Sequence, residues 1–371
     1  MRFSCEKSVL QEACSIVTRA VPSKSPMPSL EGILISAGTE KIRLTGYDLK
    51  KAIYTDIDAQ IQEPGSAIIN ARFLNEMIRR MPDGIISIEC DAQNKIRTVC
   101  GKSEYNFIGL EVEEYPEMPT FSKLSSVQIP QKILRSMINQ TIFAVSKDEV
   151  RPIYTGTLFE IIDGTLTLVS VDGYRLARRC EKLENYSIEN CTFVVPGFTL
   201  SDVEKICEDT EDAVFISLGD KHISFTIDNT VIISRRLEGD FLSHRKSVPE
   251  NFKFSVELNR QEIISVVDRV SLMLSEKNSN PVHMIFNDGT IDCFCSTPLG
   301  KAEDICICEG SGEGLEIGLN DRYLIEALKA ADTEKIHVCF NTSSSPCVIK
   351  PDDESDTFTY MVLPIRIHSG V

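Results

Sequence analysis

The sequence predicts an α+β fold made of three repeats of one unit, each with two helices packed on antiparallel sheets. Three observations predict it. Alternating apolar runs give way to helical apolar spacing once in each third of the chain. Leu74, Leu200 and Leu324, at the same point of a second strand-into-helix segment, lie 126 and 124 residues apart. Strand pairs joined by turns containing Gly or Asp fill the space between the two helices of each third.

The first strand-into-helix segments begin at Arg2, Val127 and Phe254. Their apolar stripes, such as Leu10, Ala13, Cys14 and Val17, or Ile133, Met137, Ile138 and Ile142, follow the 3.6-residue helical period. The segments Ile42–Asp48, Leu166–Asp172 and Ile291–Thr297 occupy equivalent places, each after another strand and a turn such as Asp163-Gly164 or Asp288-Gly289. Second helices follow Ile69-Asn70, Val195-Pro196 and Ile317-Gly318, and further strands begin near Ile85, Val214 and Ile336. Clusters of Pro, Ser and charge at 118–126 and 242–251 place three domains at 1–122, 126–247 and 251–371.

The chain has 371 residues, 42% hydrophobic and 25% charged, which suits globular domains rather than disorder. No apolar run is long enough to span a bilayer, and Met1-Arg-Phe-Ser-Cys-Glu lacks the apolar stretch of a secretory signal, so a cytoplasmic protein is expected. Thirteen cysteines read as reduced, small, apolar side chains. If Thr297–Gly300 is a hairpin turn, Cys293, Cys295, Cys306 and Cys308 share one sheet face; their C-x-C spacing is poor for zinc, and strand packing is the expectation. The net charge of −16 excludes a protein that coats nucleic acid by bulk attraction, so any contact with phosphate must be local.

Sequence patterns for nucleophilic serine hydrolysis, zinc proteolysis and phosphate-loop chemistry are missing, and His222, His244, His283, His337 and His368 are scattered. Gly310–Gly314 reads as a loop, Asp352–Asp356 as a solvated loop, and Asp172 as part of an Asp-Gly turn. No enzyme, cofactor or metal is expected. Two rivals remain: a metal-dependent enzyme built on the cysteine cluster and an Asp, and a monomeric scaffold that binds peptides without encircling anything.

Gly46–Leu49, Arg151 with Gly156–Glu160, Val171–Ala177 and Tyr360–Ile367, in that order on a threefold repeat, resemble the bacterial DNA polymerase III beta subunit, the sliding clamp, over essentially the whole length. The resemblance implies a head-to-tail homodimeric ring around duplex DNA, loaded by a clamp loader. It would tether the replicative polymerase and other clamp-binding-motif proteins and confer processivity. Helices would line the hole; windows 7–19, 70–81, 131–142, 198–208, 260–272 and 320–330 hold 12 Lys or Arg against 9 Asp or Glu, a bias opposite to the whole chain. The candidate DNA-facing residues are Lys24, Arg72, Arg79, Arg80, Lys147 and Arg151. The dimer interface is expected to join Tyr105 and Phe107 to Leu272 and Met273. The resemblance also implies a partner-peptide groove comprising Tyr154, Val171, Gly173, Tyr174, Arg175, Leu176, Leu242, Lys246, Asn320, Tyr323, Met361, Val362, Leu363, Pro364, Ile365 and Arg366. The chain departs from the family pattern at Pro152 and Ile153, at Leu242 and Lys246, and near Asn278.

Overall fold

The structure, a computed structural model, describes residues 1–119, 125–183, 189–274, 281–353 and 356–367. The first inter-repeat boundary, the loop near Asn278, part of Asp352–Asp356 and His368 therefore lie wholly or partly outside the described residues.

Seven helices are described: α1 (Lys7–Thr18), α2 (Ala71–Arg80), α3 (Gln131–Ile142), α4 (Gly197–Ile206), the single turn α5 (His244–Ser247), α6 (Arg260–Ser271) and α7 (Asp321–Ala330). Local chemistry sets several starts. Asn70, Asn259 and Asn320 each accept a hydrogen bond from the backbone amide three residues on, at 3.0–3.1 Å, capping α2, α6 and α7. The expected stripe of α1 is buried in full. In α3, Met137 and Ile138 are buried while Ile133 and Ile142 are only half-buried, because Leu134 takes the inward position.

The chain divides into two compact units. One is built mainly from Met1–Arg135 and Asp202–Arg236, the other mainly from residues 136–183, 189–201 and 237–367. The division runs through the middle repeat, because each half of that repeat is hydrogen-bonded into a neighbouring repeat's sheet. In the first unit an eight-stranded sheet joins Thr230–Arg235 to Lys51–Asp58, with Thr230 facing Thr55 and Ser234 facing Lys51. In the second, a ten-stranded sheet joins Arg175–Lys182 to Phe358–Val362, with Arg175 facing Val362 and Arg179 facing Phe358. Among the described residues every strand pairing is antiparallel, in the hairpins and in the pairings between strands far apart in the chain alike.

The long strand Val282–Thr297 doubles back at Asp288-Gly289. His283 stacks on Phe294 at 4.6 Å, whereas residues eleven apart in an extended strand would be about 35 Å apart. Gly289, at φ +75°, supplies the left-handed residue of that turn. Thr297 pairs with Gly300 across the next turn, and all four clustered cysteines face inward, 0–6% exposed.

Candidate partner-peptide groove and charged surfaces

The groove begins with a turn. The Asp172 carboxylate accepts the amides of Tyr174 (2.9 Å) and Arg175 (3.1 Å), and Gly173 takes φ +94°, so the hairpin between Thr165–Val171 and Arg175–Lys182 closes tightly. This is the Asp-Gly turn expected from the sequence. Arg175 is 7% exposed and fully engaged: it donates to Asp172 (2.9 Å), to the Phe143 carbonyl (2.6 Å) and to Glu326, and its guanidinium lies over the Tyr323 ring at 4.4 Å. Burial beside Asp172 raises the Tyr323 phenol above its ordinary pKa. Tyr174, 63% exposed, stacks on Tyr323 and forms an aromatic shelf above Arg175.

Beside the shelf, Val171, Leu176 and Met361 form a buried apolar floor, with Tyr154 and Leu363 half-buried at its edge. Sequence reasoning missed other members of this cluster, among them Phe241, which meets Tyr154 edge-on at 5.4 Å. Leu242 and Lys246 are exposed on α5 and the turn before it. That short helix is held by His244, which is 5% exposed and lies 3.5 Å from Glu160, and by Arg245, which donates to the same carboxylate at 2.7 Å. Burial lowers the His244 pKa, against the pull of Glu160. The backbone amides of Leu363 and Ile365 donate to the carbonyls of Tyr174 and Gly318, so the last segment closes the floor. Pro364 and Ile365 are half-buried there and Arg366 is exposed. Asn320 serves first as the cap of α7.

One expected groove residue is corrected. Val362 is 0% exposed and packs in the separate cluster that holds Phe358 and Tyr360, because strand alternation turns it away from Met361. It offers the groove only its backbone.

Next to the floor opens a cleft of about 590 Å³ in which Lys147 and Arg151 meet Tyr154, Tyr174, Tyr323 and Arg322. The structure thus brings two expected DNA-facing residues to the groove's edge. The other four are exposed on the first unit. Arg79 and Arg80 both pair with Glu76, at 2.7 and 3.0 Å, which offsets part of their charge.

Of the expected interface residues, Phe107 meets Phe73 edge-on at 4.9 Å, and Tyr105 lines a pocket with Phe73, Arg72 and Arg80. Leu272 is 83% exposed, and a Cβ added at Gly300 would lie 3.1 Å from the end of Met273. Ile305 and Ile307, unassigned from sequence, add exposed apolar surface on the same hairpin. Among the described residues no group of three or more His, Cys, Asp or Glu could hold a metal ion. Burial pushes the Cys306 thiol up to about 12 and raises Cys293, Cys295 and Cys308, so none is a poised nucleophile.

The chain is similar to known proteins over nearly its whole length. Residues 1–119, 128–242 and 245–366 match family models described as the N-terminal, central and C-terminal domains of the DNA polymerase III beta subunit. The chain is 31% identical to the beta sliding clamp of Bacillus subtilis, covering 99% of this chain and all of that one. The crystal structure of the Bacillus subtilis DNA polymerase sliding clamp superposes with a TM-score of 0.94 over 99% of this chain and 100% of that one, at 31% identity. That of the Streptococcus pneumoniae DNA polymerase III beta chain does so at 0.94, with 28% identity and the same coverage.

Proposed function

This chain belongs to the DNA polymerase III beta subunit family of sliding clamps, non-catalytic processivity factors of replication, and we propose that it works as a head-to-tail homodimer closed around duplex DNA. Its domains would be 1–122, 126–247 and 251–371, six of them per ring. The observation that carries this reading is a joint present twice within the chain and left half-made at both of its ends.

In both internal joints an antiparallel strand pair links one repeat to the next. Carried through the strand pairings from the first residue of each first helix, Ser103 stands where Thr230 and Phe358 stand. Counted four residues on from Lys51, Arg175 and Gly300, which close the equivalent hairpin turns, Asp304 stands where Thr55 and Arg179 stand. Among the described residues, no strand pairs with the outer edge of Ser103–Ile108 or with that of residues 300–307. Two unpaired edges of complementary direction on one chain suit a heterologous contact that closes. The register follows: Ser103 of one copy opposite Asp304 of the next, Tyr105 opposite Ala302, Phe107 opposite Gly300. The second internal joint also packs Phe143 on Tyr360 at 5.5 Å. Leu272 and Tyr105 occupy those two places, which accounts for an exposed leucine at the end of α6.

A closed ring needs little affinity for DNA, since nanomolar contact binding takes about 12 kcal/mol and would oppose sliding. Lys24, Arg72, Arg79 and Arg80 would centre the duplex through phosphate contacts independent of sequence, whereas Lys147 and Arg151, expected from the sequence to do the same, stand at the groove's edge. The groove would take an extended segment of the replicative polymerase, of the clamp loader that opens the ring, or of other clamp-binding proteins. Among the described residues no helix is long and apolar enough to cross a membrane, and the proposed site of action is the cytoplasm.

The test is retention on nicked circular DNA after loading, before and after a single cut. Protein that stays on circles and leaves cut DNA is topologically linked. Retention unchanged by the cut means contact binding and ends the ring reading.

A further inference from the structure

The cleft beside the groove has a charge that the peptide-groove reading leaves unexplained. Its lining includes Lys147, Arg151, Arg175 and Arg322 against Asp148, Asp172 and Glu326. Arg175 is buried and binds both Asp172 and Glu326, which withdraws those two acids from any incoming group. Asp148 uses one oxygen on the Val150 amide at 2.9 Å, and of the acids in the 147–151 loop it alone lines the cleft. Lys147, Arg151 and Arg322 are all exposed. A cationic cleft on a chain of net charge −16 is a local feature of this surface.

The cleft is also preformed and continuous with the groove. The Ser146 amide donates to the Tyr154 carbonyl (2.9 Å) and the Asp148 amide to the Ser146 hydroxyl (3.0 Å), fixing the loop that carries Lys147. Tyr154 belongs both to the apolar cluster and to the cleft wall. A chain anchored on the apolar floor therefore passes directly into the cationic space.

Resting on the groove reading above, we propose that this cleft selects partner peptides whose apolar anchors are flanked by Asp or Glu, with Lys147 and Arg151 as the specificity-determining cations. Their place at the groove's edge favours a peptide carboxylate over a DNA phosphate as their ligand. Exposed pairs of this kind contribute modestly to affinity and strongly to discrimination and salt dependence.

The test uses the full-length protein and two fluorescent peptides with one Leu- and Phe-bearing core, flanked on both sides by Asp and Glu in one and by Asn and Gln in the other. The acidic peptide should bind roughly fivefold tighter at low salt, and the gap should close at high salt. In the double variant K147E/R151E the acidic peptide should lose that advantage, with thermal unfolding confirming an intact fold. Equal affinities in the parent, or a gap that survives the double substitution, overturn the proposal while leaving the groove in place. Loss confined to retention on DNA assigns both cations to the duplex and also overturns it. If neither peptide binds the parent, the groove reading itself fails and takes this one with it.

Discussion

One joint is built in both units of the chain, and in the second it carries an aromatic shelf beside a cleft. In the first, the Asp48 carboxylate accepts the amides of Lys50 (2.9 Å) and Lys51 (2.7 Å), and Lys51 reaches Asp202 on α4. In the second, Asp172 plays the same part for Tyr174 and Arg175, and Arg175 reaches Glu326 on α7. Lys51 and Arg175 are each 7% exposed. Their acids differ: the Asp202 side chain is 11% exposed and that of Glu326 39%. A lysine is a point charge that needs a carboxylate brought to it, so the first joint seals around the pair. A guanidinium is a planar fork that can serve Asp172, the Phe143 carbonyl and Glu326 while its face supports Tyr323. Where the second joint sets Tyr174 on Tyr323, the first has Lys50 in the place of Tyr174. The site arises where a compact buried pair is replaced by a cation that carries an aromatic shelf.

The largest expected break in that comparison is Asp202→Asn. It leaves Lys51 charged and buried without its carboxylate, with Arg19, 3.9 Å from the same acid, also losing a partner. The expected loss is about 3–5 kcal/mol, read from the urea midpoint of the transition that melts the first unit. The companion Glu326→Gln should lose only about 1 kcal/mol, since the acid is partly solvated and Arg175 keeps Asp172 and the Phe143 carbonyl. A larger loss at Glu326 than at Asp202 would mean that the two joints are not distinguished by burial of the acid.

The next effect concerns binding. Arg175→Lys keeps the charge but removes the fork and the face beneath Tyr323, so the shelf loses its support. Affinity for a groove-binding peptide should fall about tenfold, or about 1.4 kcal/mol. Lys51→Arg, the reverse exchange, should leave that affinity unchanged. Fluorescence anisotropy on both variants decides whether the planar cation or the mere positive charge makes the site.

Much of this was legible in the sequence because repeats and periodicity are local signals. The helical stripes, the spacing of Leu74, Leu200 and Leu324, and the inward face of the four cysteines follow from counting residues. Alternation also implies that Met361 and Val362 face opposite ways, but which face borders a groove depends on what packs there, so Val362 was misplaced. The contacts that make the site are long-range: Arg175 to Glu326 spans 151 residues, and Phe241 reaches Tyr154 from another strand connection. The repeat could have supplied the first of these. Asp202 and Glu326 both stand two residues after the periodic leucine of their helix, as Glu76 does, and each of the first two meets the cation that follows a conserved-in-place Asp turn within this chain.

The smallest effect is a pair of opposite sign in the turns themselves. The left-handed position is filled by Leu49 in the first turn, at φ +69°, and by Gly173 in the second, at φ +94°. A leucine held there is strained by its Cβ, and Leu49 is 57% exposed, so little packing offsets the strain. Leu49→Gly relieves it at some loss of chain entropy and should stabilise the first unit by about 0.5 kcal/mol. Gly173→Ala should destabilise the second by about 1 kcal/mol, although a Cβ there would meet nothing within 4 Å, because the objection is to the backbone angle and not to space. Thermal unfolding of both variants reads the two signs directly. Shifts in the same direction would show that something other than the left-handed residue sets the two turns apart, and the difference between the joints would then rest on Lys51 and Arg175 alone.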